Sequence, residues 1–197
     1  MTENLIKTSE KAVTTEIIRG SGANSTKVIQ LNSSGEVSPE YLVSDIDQWR
    51  LDQNIAVTTS DTVISTGWER VDTATQGKIG TGMTQSSGVF TFPRTGMWLV
   101  SFIGTLNRNS SDVTNIMGSL VATSGSGGTT DNMVAKGFTN VSSSGTYSQM
   151  FAQSVVNVSA TADVKVKAEI VATGTGADLL GTSLINYTSL TFTYIGS

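Results

Sequence analysis

The sequence predicts an all-β fold, a sandwich or barrel of short antiparallel strands, on three observations. Of 197 residues, 55 are Ser or Thr and 20 are Gly, and only 14% are charged, against roughly 25% in an average soluble domain. Thr and the β-branched aliphatics suit a pleated surface, whereas a disordered chain carries more charge. From residue 96 onward, apolar and polar residues alternate with a period of two in one segment after another, the pattern of half-buried strands. Between those segments lie clusters of Gly, Ser, Thr and Asp, the residues that turn a chain. At 38% hydrophobic residues, the chain can bury one core of ordinary size.

The elements follow in order. Residues 1–50 hold 12 of the 28 charged side chains, so the first quarter differs from the rest. Ala12–Ile18 suits a short helix or an extended arm. Val28-Ile29-Gln30-Leu31 reads as a β-prone run, Asn32–Gly35 as a turn, and Val37 resumes the strand. Ser38–Trp49 predicts a helix: Ser38 can cap it, Pro39 suits its first position, and Glu40 favours its positive end. Leu42, Ile46 and Trp49 then share one helical face. Too few apolar residues are present for this part to fold alone. It is expected to be an arm that anchors on a partner through Val28, Ile29, Leu31, Leu42, Ile46 and Trp49. The boundary falls near Trp49–Asn54, giving an arm over 1–50 and a domain over 51–197.

In that domain, Gly96–Leu106 is the clearest strand. Trp98, Val100, Phe102, Gly104 and Leu106 point one way, and Met97, Leu99, Ser101, Ile103 and Thr105 the other. Both sets carry apolar residues, so cover is expected on both faces. Ile116–Thr123 is a further strand. Tyr147–Val156 sets Tyr147, Gln149, Phe151, Gln153 and Val155 against Met150, Ala152 and Val156. Asp163–Ala172 puts Val164, Val166, Ala168 and Ile170 inward and Lys165, Lys167 and Glu169 outward. Ser189–Gly196 places Leu190, Phe192 and Tyr194 on one face. Turns are expected at Gly80–Gly88, Thr123–Asp131, Val141–Thr146 and Thr173–Thr182, and Pro93 separates Val89–Phe92 from the Trp98 strand.

Composition excludes several chemistries. The chain has no His and no Cys, so Ser–His–Asp and Cys–His catalysis, Cys/His zinc sites and disulfides are all impossible. Asp45 and Asp47 flank Ile46 and on a helix would lie on different, solvated faces. Asp61, Glu69 and Asp72 lack calcium-loop spacing. Gly174, Gly176 and Gly181 lack the Lys-Ser/Thr of a phosphate loop. No paired acids suit glycoside hydrolysis. The Asn-X-Ser/Thr triplets at Asn24, Asn32, Asn109, Asn140, Asn157 and Asn186 are expected by chance in so Ser/Thr-rich a chain. The net charge of −4 and scattered basic residues argue against nucleic acid. Residues 1–11 lack the apolar run of a secretory signal, and no stretch approaches the roughly 18 apolar residues of a spanning helix. No enzyme, cofactor, metal or membrane is expected.

Ser86–Leu106, SSGVFTFPRTGMWLVSFIGTL, resembles the signature of C1q/TNF-like domains, matching at Gly88, Phe90, Phe92, Pro93 and Gly96. Asp163-Val164-Lys165-Val166 resembles the Asp-X-Val strand of such domains, with Ala162 where they carry Gly. Leu190–Ile195 resembles their final strand. The similarity spans about residues 54–197 and implies a jelly-roll β-sandwich assembled as a homotrimer. Tyr147, Phe151, Phe192 and Tyr194 are then either plain core or, as the resemblance implies, aromatics at the trimer interface. The stretch Trp49–Pro93 resembles domains of this type in marine bacteriophage proteins. Lys27–Leu42, KVIQLNSSGEVSPEYL, is similar to a short module of phage head-fibre and tail-fibre chains. Together these imply a virion structural protein on the outer surface. The leading expectation is a capsid decoration or head-fibre (knob) protein whose arm contacts the major capsid protein or a tail component. The alternative is a tail-fibre tip whose loops Ser124–Asp131 and Thr173–Thr182 meet a host-surface glycan or other receptor.

Overall fold

The computed structural model describes residues 45–143 and 147–196. Its strands are β1 (Ile46–Leu51), β2 (Ile55–Ala56), β3 (Thr62–Val63), β4 (Trp68–Arg70), β5 (Thr84–Ser86), β6 (Val89–Thr91), β7 (Gly96–Arg108), β8 (Val113–Ser124), β9 (Thr130–Val141), β10 (Tyr147–Val158), β11 (Lys165–Ala172), β12 (Ala177–Leu179) and β13 (Ser189–Gly196). They form two antiparallel sheets. The seven-stranded sheet runs β2–β12–β7–β13–β1–β4, with β10 also paired to β7. β10 runs along Gly96–Asn107 of β7, so β12 and β13 share the opposite edge of that strand. The six-stranded sheet runs β5–β6–β11–β8–β9, and β3 shares with β6 one edge of β11.

The alternation read from the sequence sets the core. Trp98, Val100, Phe102 and Leu106 of β7 are buried against Val166, Ala168 and Ile170 of β11 and Ile116 and Leu120 of β8. Met150, Ala152 and Val156 of β10 and Leu190 and Phe192 of β13 face the same way. An aromatic cluster fills one region of the interior. Trp49 and Trp68 each meet Phe90 edge-on at 5.5 Å, Phe90 lies 5.2 Å from Phe192, and Phe92 lies 5.2 Å from Trp98. Such pairs add about 0.5–1.5 kcal/mol each beyond their buried area.

The glycine of the Ser86–Leu106 motif has a physical reason. Ser87 and Gly88 alone separate β5 from β6, with Ser86 opposite Val89, and their φ values are +50° and +76°. Two positive φ angles in a two-residue hairpin are the type I′ turn that matches strand twist. A Cβ on Gly88 would also stand 2.1 Å from the carbonyl oxygen of Ile64. Gly88→Ala is therefore expected to cost about 3 kcal/mol or more, roughly 1–2 from the left-handed backbone and the rest from that clash. Urea unfolding checks this, and a loss within experimental error would contradict the turn.

The N-terminal boundary needs correction. The compact unit begins at Asp45, and Ile46–Trp49, expected to end a helix, belong to β1 between β13 and β4. Pairing on both sides satisfies the main chain and buries Leu51, and tertiary context of this kind overrides a helical pattern. Ile46 and Trp49 therefore do not share a face: Trp49 packs inward on Phe90, and Ile46 lies on the outer surface of the sheet opposite Thr193. Val28, Ile29, Leu31 and Leu42 lie outside the described residues, as do Ala12–Ile18 and the start of the expected helix. Two further strands occupy segments expected to be turns, β5 within Gly80–Gly88 and β12 within Thr173–Thr182.

Candidate functional site

The outer surface of the seven-stranded sheet is organised in rows that cross β10, β7, β13 and β1. One row is Val155, Leu99, Thr193 and Ile46. The next is Gln153, Ser101, Thr191 and Gln48. Two hydrogen bonds run within it: Gln153 Nε2 donates to Ser101 Oγ at 2.7 Å and Gln48 Nε2 to Thr191 Oγ1 at 2.9 Å. The third is Phe151, Ile103, Ser189 and Arg50, the first two exposed and the last two buried. Beyond it, Gln149 donates to Thr105 Oγ1 at 3.0 Å, and Thr105 Oγ1 donates to Tyr187 O at 2.6 Å. The surface continues past Tyr187 to Leu184 and Ile185, both exposed. From Asn157 to Tyr147 on β10 and from Met97 to Asn107 on β7, no outward position is charged.

The other outer surface is built differently. Lys165, Lys167 and Glu169 line β11, and Asp131 and Lys136 line β9. Lys167 Nζ lies 2.7 Å from Asp131 Oδ2 and 3.2 Å from Glu169 Oε1. Burial pulls its pKa down, but these two carboxylates outweigh that and hold it above the ordinary lysine value. The outward positions of β10, β7 and β13 thus carry no charge, and charge on that side of the sheet begins at its flanks, with Arg50 of β1 opposite Glu69 of β4 and with Asp178 of β12. Depletion of charge with exposed aromatics marks the core of an association surface rather than a solvated face.

The sequence-derived site residues divide. Tyr147 and Phe151 are 68% and 55% exposed and stand on the uncharged outer side of β10 and β7. Phe192 is 0% exposed, sunk between Phe90 and Phe92. Tyr194 is half-buried on the inner side, edge-on to Trp98 at 5.3 Å and stacked on the Arg94 guanidinium at 3.5 Å. Phe192 and Tyr194 share the parity of Leu190, which points into the sandwich, so these two are core rather than surface aromatics. Phe192→Ala is expected to cost about 3–5 kcal/mol of stability, and Tyr147→Ala to stay within about 0.5 kcal/mol for the isolated domain. Chemical denaturation of the two variants checks the division.

The candidate loops also separate. β11 pairs with β8 from Val166 opposite Ala122 to Ala172 opposite Ile116. Ser124–Asp131 therefore lies at the end of the sandwich that holds Asp45 and Gly196. Thr173–Thr182 starts at the other end, where Thr173 N donates to Asn115 O and Asn109 N to Gly176 O. The two loops cannot form one recognition surface.

The acidic residues are engaged in structure. Asp45 and Asp47, expected on a solvated helix, are buried in the sheet. Asp45 Oδ2 lies 2.9 Å from Arg94 Nε. Asp47 accepts from Arg70 Nε at 3.0 Å, from Trp49 Nε1 at 2.9 Å and from the Met83 amide at 2.7 Å. Arg50, fully buried, donates to Glu69 Oε1 at 2.6 Å, Asp72 Oδ1 at 2.9 Å and Thr73 Oγ1 at 2.7 Å. Among the described residues no group of three or more acidic side chains is placed to hold a metal ion. These carboxylates pair with Arg50, Arg70 and Arg94, of which Arg50 is buried, and Asp45 and Asp47 also accept main-chain hydrogen bonds.

No protein-family model matches the chain, and no curated protein sequence matches it. Solved structures do. Murine APRIL crystallised at pH 8.5 superposes with a TM-score of 0.53 at 11% identity, covering 76% of this chain and 98% of that one. Eiger TNF from S. frugiperda gives a TM-score of 0.53 at 11% identity, covering 77% and 92%. The PRD1 vertex protein P5 matches at 0.43 and 16% identity, covering 78% and 99%, a value too low to equate the two folds. The two antiparallel sheets and their likeness to APRIL and Eiger define a TNF-like jelly roll.

Proposed function

We propose that the protein is a non-enzymatic virion structural protein, a capsid decoration or head-fibre (knob) protein that assembles as a homotrimer through the uncharged outer face of β10, β7 and β13 in its seven-stranded sheet. The observation that carries the assembly reading is that face: the outward positions of β10, β7 and β13 carry no charge, and Phe151, Tyr147 and Ile103 are exposed on it. A closed three-fold ring gives such a surface a partner. The virion reading rests on the resemblance of Lys27–Leu42 to the head-fibre and tail-fibre module, and of Trp49–Pro93 to phage domains. Residues 1–44 are the anchoring arm in this reading, with Val28, Ile29, Leu31 and Leu42 against the major capsid protein or a tail component. Ile46 and Trp49 serve the sandwich instead.

The second reading is a tail-fibre tip that recognises a host-surface glycan or other receptor. What favours it is the end of the sandwich opposite Asp45, where Thr173–Gly176 meets Asn109 and Ser110 in the exposed setting that recognition uses. A decoration protein adds its binding free energy to the assembled shell only. Particles made without this chain are expected to lose resistance to heat or osmotic shock and to adsorb normally to host cells. Intact particles that no longer adsorb would favour the receptor-binding reading.

A further inference from the structure

Residues 71–83 cross from β4 to β5 without joining a strand, with Val71 and Met83 sunk in the core at either end. The chain between them is largely exposed and strapped to the first residues of β1. Ile79 N donates to Ile46 O at 2.8 Å, and Ile46 N donates to Ile79 O at 3.1 Å. Asp45 Oδ1 accepts from the amides of Thr81 at 2.8 Å and Gly82 at 3.3 Å. Asp47 Oδ2 accepts from the Met83 amide at 2.7 Å. Arg70 Nη2 donates to Met83 O and is itself held by Asp47 Oδ2 at 3.1 Å. Lys78 Nζ turns back on the strap, donating to Gly80 O and Thr81 O. Gly82 has φ +75°, and a Cβ there would stand 2.8 Å from Asp47 Oδ2, so the approach of strap to carboxylate requires glycine.

We infer that the strap, residues 72–82, and the start of β1, residues 45–47, open and close as a single unit whose catch is the pair of buried carboxylates. Lifting the strap takes the Thr81, Gly82 and Met83 amides from Asp45 and Asp47 together and leaves two buried carboxylates with their side-chain partners Arg94, Arg70 and Trp49 but without these donors. Opening is therefore cooperative rather than residue by residue, a local unit smaller than the whole domain. Asp45 also binds the far side: its carbonyl accepts from Tyr194 N at 2.9 Å, and its Oδ2 pairs with Arg94. The catch stands where residues 1–44 join the sandwich, and the inference does not depend on what those residues hold.

Hydrogen exchange followed by NMR on the full chain, through rising sub-denaturing guanidinium, tests it. The amides of Ile46, Ile79, Thr81 and Met83 are expected to converge on one opening process, distinct from the slower exchange of Val100 and Phe102. Asp45→Asn, which keeps the shape and removes the charge, is expected to speed all four by roughly tenfold or more and to leave β7 unchanged. Exchange of Ile79 and Thr81 roughly tenfold faster than Ile46 in the native chain would overturn the inference. That comparison needs no variant, so it stands even if Asp45→Asn fails to fold.

Discussion

A chain lacking residues 1–50 is expected not to fold, whereas one starting at Asp45 is expected to keep the sandwich. The difference is β1. Deleting it removes the strand between β13 and β4 and opens the main chain of both. It takes away the carboxylates that receive the buried amides of Gly82 and Met83, and each orphaned buried donor costs about 1–3 kcal/mol. It removes Trp49, which covers Phe90 edge-on and carries the Arg70 guanidinium at 4.6 Å. Exposing that interior adds about 2–3 kcal/mol. Against a typical total of about 5–15 kcal/mol, with β4 left unpaired in its sheet, such a loss leaves no cooperative domain. Cutting before Asp45 removes none of these groups. Circular dichroism and thermal unfolding of the two truncations decide. A cooperative melt of the shorter chain would show that β1 is dispensable, and an unfolded longer one would show that residues 1–44 contribute to the sandwich.

That boundary shows where sequence periodicity stops being informative. Leu42, Ile46 and Trp49 fit a helical spacing, but so does any three-residue sample of a strand that happens to carry apolar groups on both sides. The competing signal was Asp47, Trp49 and Leu51 alternating with Ile46, Gln48 and Arg50. It was masked because the inward set includes a carboxylate and the outward set a buried guanidinium. Neither charge reads as interior until its partner is known, and the partners Arg70, Glu69 and Asp72 are about twenty residues away. β9 escaped for another reason. Its pairing with β8 slips between Leu120 and Val121, so Met133, Val134 and Phe138 fall out of simple alternation. By contrast β7, β10, β11 and β13 were legible because regular ladders keep the period of two. The uncharged face was half legible. The sequence shows apolar residues on both sides of β7, but that β10 and β13 extend the same neutrality sideways, as far as Arg50 of β1, is a property of strand order. Leu184 and Ile185 carried no signal beyond being two adjacent aliphatics in a turn-rich segment.

Phe151→Lys is expected to convert the assembly into a monomer. The native chain should scatter light as about three times its 20.7 kDa mass, as a closed three-fold assembly requires, and the variant as one chain. In the monomer the substitution is mild, because Phe151 is 55% exposed, and surface changes usually stay within about 0.5 kcal/mol. In the assembly the ammonium would be carried into a face whose neighbours, Ile103, Gln149 and Gln153, offer no carboxylate. An unpaired buried charge costs several kcal/mol, and three-fold symmetry imposes that cost in every copy. Phe151→Ala removes only apolar burial, about 1.5–3 kcal/mol per copy if the ring is fully covered, and is expected to weaken association without abolishing it. Val171→Lys, on the charged outer surface of the six-stranded sheet next to Met117, serves as the control and should keep the native mass. Dissociation by Val171→Lys with Phe151→Lys still assembled would move the interface to the other sheet, and a native chain that scatters as a monomer would remove it altogether.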